Sequence, residues 1–180
     1  MRLTMKRNLL FGLGLSLILL LISSTASYIS ITDLIQSSRM VNESHQTIDN
    51  LNSFLSILKD AETGQRGFIL TGDPSFLTPY TEAKEKIAEN FNALMPKIGN
   101  TTLQKENLEK LRFDVAKRME VLDDNLKSKK INGTVSNEDL LKGKTYMDDT
   151  RAVIDSMQNE ERRLLDLRTA SLKSLANITP

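Results

Sequence analysis

The chain has 180 residues, of which 39% are hydrophobic, 26% charged and 5% aromatic, with 8 Gly, 4 Pro, no Trp and no Cys. This composition suits long helices rather than a strand-rich sandwich, which needs more aromatic and β-branched residues, and the absence of cysteine excludes disulfides and thiolate metal sites. The net charge of +1 is unevenly placed: Arg2, Lys6 and Arg7 precede the first acid, Asp33, and the remainder is slightly acidic, so no basic face argues for nucleic acid as a partner.

Residues 8–32 carry no charge. As a helix rising about 1.5 Å per residue, they reach about 37 Å, enough for a bilayer core of about 30 Å. The strictly apolar stretch, residues 9–22, is shorter, and Ser24, Thr25 and Ala26 supply small residues where a signal peptidase would cut. An uncleaved anchor and a cleaved signal therefore both remain open. Either way, Lys6 and Arg7 hold the N-terminus in the cytoplasm and the chain beyond about residue 32 is exported. The expected division is a cytoplasmic N-terminus over 1–8, a transmembrane helix over 9–31 and an extracytoplasmic domain over 32–178, placed at the inner (cytoplasmic) membrane.

Beyond the anchor, apolar residues recur at helical spacing in four runs, with no strand pattern. The first covers about 28–70, with a seam at Leu34, Val41, Ile48, Leu51, Leu55, Leu58, Glu62, Gln65 and Ile69 that becomes heptad-like from Ile48. Gly72, Asp73 and Pro74 end it: a left-handed terminal glycine, a cap and a first-turn proline for the next helix. The second run covers about 73–95 with Phe76, Tyr80, Ala83, Ile87, Phe91 and Leu94; Pro79 sets its regular start at Thr78, and Pro96 and Gly99 close it. The third begins at Thr101, spaced from Gln104 as a capping box. Its seam is Leu108, Leu111, Val115, Met119, Leu122 and Leu126, and Asn132-Gly133 ends it. The fourth begins near Ser136, with Asp139 as capping partner, and carries Leu140, Met147, Ile154, Met157, Glu161, Leu164, Arg168, Leu172 and Leu175.

Runs one and four are long and runs two and three short, with brief connections. The expected fold is all-α: an N-terminal transmembrane helix continuing into a long up-down-up-down four-helix bundle. Its extended two-helix stalk is expected over about 28–48 and 160–178. A half-exposed stalk seam implies a homodimer. The fourth run heads back to the membrane, so a second transmembrane span and an output domain, both absent from this chain, are expected to come after it.

The segment 60–73, DAETGQRGFILTGD, departs from generic helix chemistry. Gly64 and Gly67 each cost about 1 kcal/mol relative to alanine inside a helix. Three apart, they bare one face to a close neighbour. Glu62 and Arg66 have the spacing of a surface ion pair. Glu62 and Gln65 fall on the expected seam, where an unsatisfied polar group costs about 1–3 kcal/mol.

With its continuation, the string DAETGQRGFILTGDPSFLTPY closely resembles the signature of the third type of CHASE domain, the cyclase- and histidine-kinase-associated sensory extracellular domain. The family pattern spans roughly residues 33–178, and the specific match is concentrated in 60–80. The resemblance implies a long four-helix sensor between two membrane spans, ahead of a histidine kinase, cyclase or chemoreceptor output module. It weights the N-terminal segment towards an uncleaved anchor. It also places Glu62, Thr63, Arg66, Gly67, Gly72 and Asp73 at the family's characteristic positions.

Two readings of the signature stand side by side. Asp60, Glu62, Thr63, Gln65, Arg66, Gly67, Gly72 and Asp73 either bind a small-molecule or protein ligand or form a structural polar cluster. Counting back from the helix ends sets Glu62 level with Tyr146 and Arg151 on helix four; those two and Tyr80 are its expected packing partners. Glu161 and Arg168, seven apart, are expected to bond across the stalk or to be solvated there. His45 is a surface residue in this reading, and Met119, Met147 and Met157 are core filler. The pairs Asp123-Asp124 and Asp148-Asp149 fall at positions that look solvated.

There is no cysteine nucleophile, no phosphate loop after a strand and no histidine-based metal cluster. The chain is therefore expected to hold no catalytic residue, metal or cofactor, and any kinase or cyclase activity would lie in a missing C-terminal part. The functional expectation is the signal-input domain of a bacterial membrane receptor in a two-component or related system, with the bilayer as a partner. The alternative is a membrane-tethered helical coiled-coil scaffold or protein-interaction module that takes no ligand.

Overall fold

A computed structural model describes residues 2–98 and 102–178. The expected breaker Gly99, the expected cap Thr101 and the side chain of Leu175 lie outside the described residues. The described chain is four helices joined by short connections, as the periodicity predicts.

Helix α1 runs without a break over Arg2–Thr71. No proline precedes Pro74, so nothing in the sequence interrupts its hydrogen-bond ladder. It stops where predicted. Gly72 takes φ +76 and its N–H donates to the Phe68 carbonyl at 2.8 Å, a conformation open to glycine at little cost. Asp73 Oδ1 accepts from the Ser75 N–H at 2.9 Å and caps a single 3-10 turn, Pro74–Leu77. That bond holds the Asp73 carboxyl below its ordinary pKa. Helix α2 comes next at Thr78–Leu94, with Pro79 in its first turn.

Helix α3 is Thr102–Asn132, ended by Gly133 at φ +72. Helix α4 is Asn137–Ile178. Its capping pair is as expected: Ser136 Oγ accepts from the Asp139 N–H at 3.1 Å and donates to Asp139 Oδ2 at 2.7 Å.

The chain divides into two compact units, residues 1–42 with 166–180 and residues 43–165. The first joins the start of α1 to the end of α4, and Arg168 Nη1 donates to the Met40 carbonyl at 3.0 Å. Among the described residues, α1 holds the one stretch apolar and long enough to cross a membrane, with mean hydropathy 2.2 and no burial.

The second unit is a four-helix bundle, and its side-chain contacts fix each helix direction. Phe54 meets Phe91 edge-on at 4.5 Å while Gly64 and Gly67 meet Phe76, so α1 and α2 are antiparallel. Tyr80 bonds to Asp123, and Arg112 lies over the Phe91 ring, so α2 and α3 are antiparallel. Asn107 meets Ser156 while Arg118 meets Gly143, so α3 and α4 are antiparallel. The result is the expected up-down-up-down order.

The buried positions repeat with heptad spacing. In the bundle part of α1 they include Ser44, Thr47, Leu51, Phe54, Leu58, Ala61, Gln65 and Phe68. This corrects the predicted seam. Leu51, Leu58 and Gln65 belong to it, but Ile48, Leu55, Glu62 and Ile69 flank it and are half-buried. On α3 all six predicted apolar positions are buried. On α4, Met147, Ile154, Met157 and Glu161 are buried as expected, whereas Leu140 is exposed.

The predicted stalk limits also move. Residues 43–48 and 160–165 belong to the bundle unit, because Gln104 near the start of α3 reaches Glu161 with a 3.1 Å hydrogen bond. The Ser44 hydroxyl donates to the same carboxylate at 3.0 Å.

The corrected seam has a direct test. Phe54→Ala empties a fully buried site against Phe91 and is expected to cost about 3–5 kcal/mol in urea denaturation, whereas Leu55→Ala costs less than about 2 kcal/mol. Equal costs would return the seam to Leu55.

Candidate functional site

The signature segment is the last three turns of α1, and the 3-10 turn folds back directly onto it. A Cβ on Gly64 would run into the Phe76 carbonyl oxygen, and a Cβ on Gly67 into the Phe76 ring. The two glycines thus admit a turn of the chain itself, in the role of the close neighbour that their spacing predicts. Their costs to helix propensity are offset by this contact.

Beside the contact lies an open groove of about 720 Å³ between α1 and the start of α2. Ile57, Leu70, Phe76 and Pro79 give its apolar walls. Thr63 and Thr78 offer hydroxyls, and Asp60, Arg66, Glu82 and Lys86 stand around it. Leu70 is 84% exposed and Phe76 43%, so the groove presents apolar surface to water beside its charged side chains.

Behind the groove the polar residues turn inward. Glu62 Oε1 pairs with Arg66 Nη2 at 2.6 Å, as the four-residue spacing predicts. Its other oxygen takes Arg118 Nη2 of α3 at 3.1 Å. Arg118 is 3% exposed, and burial lowers its pKa against the opposing pull of Glu62, with Arg66 and Arg151 adding repulsion. Its guanidinium fits because Gly143 on α4 has no side chain; a Cβ there would overlap it. The bond expected between Glu62 and helix four or helix two is therefore corrected to one with helix three. Arg118 fills a backbone gap on helix four instead.

The other predicted residues divide. Gln65 is buried and its Nε2 donates to the Leu122 carbonyl at 2.8 Å, so its seam position is satisfied by a backbone acceptor. Asp60, Thr63, Arg66 and Gly67 gather at the groove. Gly72 and Asp73 build the turn that delivers Phe76 to it. Tyr80 is buried and its hydroxyl donates to Asp123, which also takes Lys84 at 3.2 Å. Burial, then the Asp123 bond and charge, push the Tyr80 pKa well up. Burial works to raise the Asp123 pKa, but the Tyr80 and Lys84 bonds outweigh it and the net shift is downward. Asp123 is thus an anchor between α2 and α3 rather than a solvated pair with Asp124.

Tyr146 and Arg151 make no bond to the signature. Tyr146 is half-buried at the α3–α4 surface, and Arg151 pairs with Asp148 at 2.9 Å. His45 is exposed, and Met119, Met147 and Met157 are core residues, as predicted.

Periodicity missed the buried polar residues of α3. Gln104, Asp114, Arg118 and Asn125 are all buried there. The signal for three of them is in the sequence: stepping alternately four and three from Gln104 passes through Leu108, Leu111 and Val115 and lands on Arg118, Leu122 and Asn125.

Residues 37–171 match the CHASE3 domain. The chain belongs to that family, a sensory domain of receptors that is not itself catalytic. No curated protein and no solved structure matches it.

Two substitutions test the site's construction. Gly67→Ala is expected to destabilise by about 1–3 kcal/mol through overlap with Phe76. In a Phe76→Ala background the same change is expected to stabilise by about 1 kcal/mol, as in an open helix; an unchanged sign would show that Phe76 does not occupy that space. Glu62→Ala strands the Arg118 guanidinium and is expected to cost about 3 kcal/mol in urea denaturation. Adding Arg118→Met should then recover most of that loss, an outcome that a merely local role for Glu62 would not produce.

Proposed function

We propose that the chain is the extracytoplasmic signal-input half of a bacterial membrane receptor, of the histidine kinase, cyclase or chemoreceptor type. The observation that carries the reading is the placement of the family signature. It builds an open, partly apolar groove on α1, and α1 continues without a break into the stretch apolar enough to cross a membrane. A stimulus at the groove would act on the same helix that meets the bilayer.

In this reading residues 9–31 are the membrane anchor and residues 32–178 lie outside the cytoplasm. A second span and an output module come after α4 in the intact receptor. Relay requires that the stimulus bind one packing state of the bundle better than another. The α1–α4 contacts that such a shift would rework are the Ser44–Glu161 bond and the Arg168–Met40 bond. The receptor works as a homodimer; Ile35 and Leu167 of the first unit are both exposed, apolar surface that a second copy would cover. The groove favours a sensor over an inert coiled-coil scaffold, which has no use for exposed apolar walls beside a closely packed glycine pair.

The absence of cysteine makes the topology directly testable. Lys105→Cys on α3 is expected to react with a membrane-impermeant maleimide in intact spheroplasts, and Lys6→Cys only after lysis. Labelling of Lys105→Cys that requires lysis would overturn the extracytoplasmic placement. Loss of the Lys6→Cys end from the mature protein would replace the anchor by a cleaved signal.

A further inference from the structure

The four charged groups around the groove are not equivalent. Arg66 is held by Glu62 at 2.6 Å and Lys86 by Glu82 at 2.5 Å. Asp60 is exposed and forms no hydrogen bond or ion pair with the described residues. Lys86 feels its charge, but the Lys86 amine sits on Glu82. The groove therefore offers one uncommitted carboxylate. An anionic ligand would meet Arg66 and Lys86 with their charges already offset by Glu62 and Glu82, whereas a cation meets the unpaired carboxylate of Asp60 directly.

The walls narrow the choice. Ile57, Leu70, Phe76 and Pro79 are apolar, and the exposed Phe76 ring is held in place by its contact with Gly67. An aromatic face near a carboxylate is the arrangement that receives ammonium groups on apolar bodies. A metal ion has no comparable place, since no cluster of three candidate ligands occurs among the described residues.

We propose that the groove binds a small organic cation, an ammonium group carried on an apolar body, with Asp60 as counter-ion and Phe76, Leu70 and Ile57 receiving the apolar part. This rests on the reading of the groove as the stimulus site and names the ligand class.

The test uses the full chain in nanodiscs of zwitterionic phosphatidylcholine, so that the bilayer does not itself concentrate cations. Phenethylammonium is titrated by calorimetry beside 3-phenylpropionate, which has a similar body and the opposite charge. Saturable binding of phenethylammonium alone is expected. Asp60→Asn should weaken it at least tenfold, Asp60→Glu should restore most of the affinity, and Arg66→Gln should leave it within about twofold. Asp60 is exposed, so these changes are expected to leave the helical circular dichroism intact. Absence of saturable phenethylammonium binding overturns the proposal. So does tighter binding of 3-phenylpropionate, or undiminished binding by Asp60→Asn. The maleimide experiment is independent of this titration: a domain exposed outside the cytoplasm that ignores phenethylammonium keeps the receptor reading and loses the cation.

Discussion

The close approach of the Phe76 turn to α1 is the contact on which the rest of this domain depends. It exists because residues 64 and 67 have no side chains. With α1 ended at Gly72 and Asp73 bonding to Ser75, the chain reverses within a few residues and α2 begins flush against α1. From that start Tyr80 reaches Asp123, and Phe91 meets Phe54 further along. Bulk at Gly64 would press on backbone, which cannot swing aside as a side-chain tip can, so the turn and the helix behind it would have to move together.

The bundle core is less oily than its heptad spacing suggests. Gln65, Gln104, Arg118, Asn125 and Glu161 are all buried, and hydrogen bonds and ion pairs tie several of them between helices. Such groups add little net stability when satisfied and cost much when stranded. Their effect here is to specify partners. Arg118 can sit only where Glu62 and the gap at Gly143 face it, and Glu161 only where Ser44 and Gln104 converge. Apolar seams alone would tolerate sliding between equivalent layers; these pairs distinguish one layer from the next.

This explains what was legible in the sequence. Helix ends were, because Gly72, Asp73, Ser136, Asp139 and Gly133 act through their own backbone neighbourhoods. The α3 apolar seam was, because its six residues have few apolar rivals. The α1 seam was displaced because Phe54 and Leu55, and likewise Leu58 and Ile57, form adjacent stripes with the same period, and only the partner helices decide between them. The signature glycines pointed correctly to a close neighbour, but not to the chain's own turn. Arg118 was missed because a charge is read as surface unless its counter-charge is known, and that counter-charge lies 56 positions earlier in the chain. The groove residues were found as a set, whereas Tyr146 and Arg151 were placed by counting residues, which fixes height along a bundle but not which face a helix presents.

The Glu161 cluster sets a limit on amplitude. Its carboxylate is buried and bonded to α1 through Ser44 and to α3 through Gln104. Advancing α4 by one helical turn, about 5.4 Å, would leave that charge in a dry interior with neither donor. Smaller tilts and rotations leave the Ser44, Gln104 and Glu161 side chains within reach of one another, so these bonds can bend and re-form without stranding the carboxylate. A bundle built this way admits small displacements of α4 between neighbouring packings and resists a full-turn ratchet.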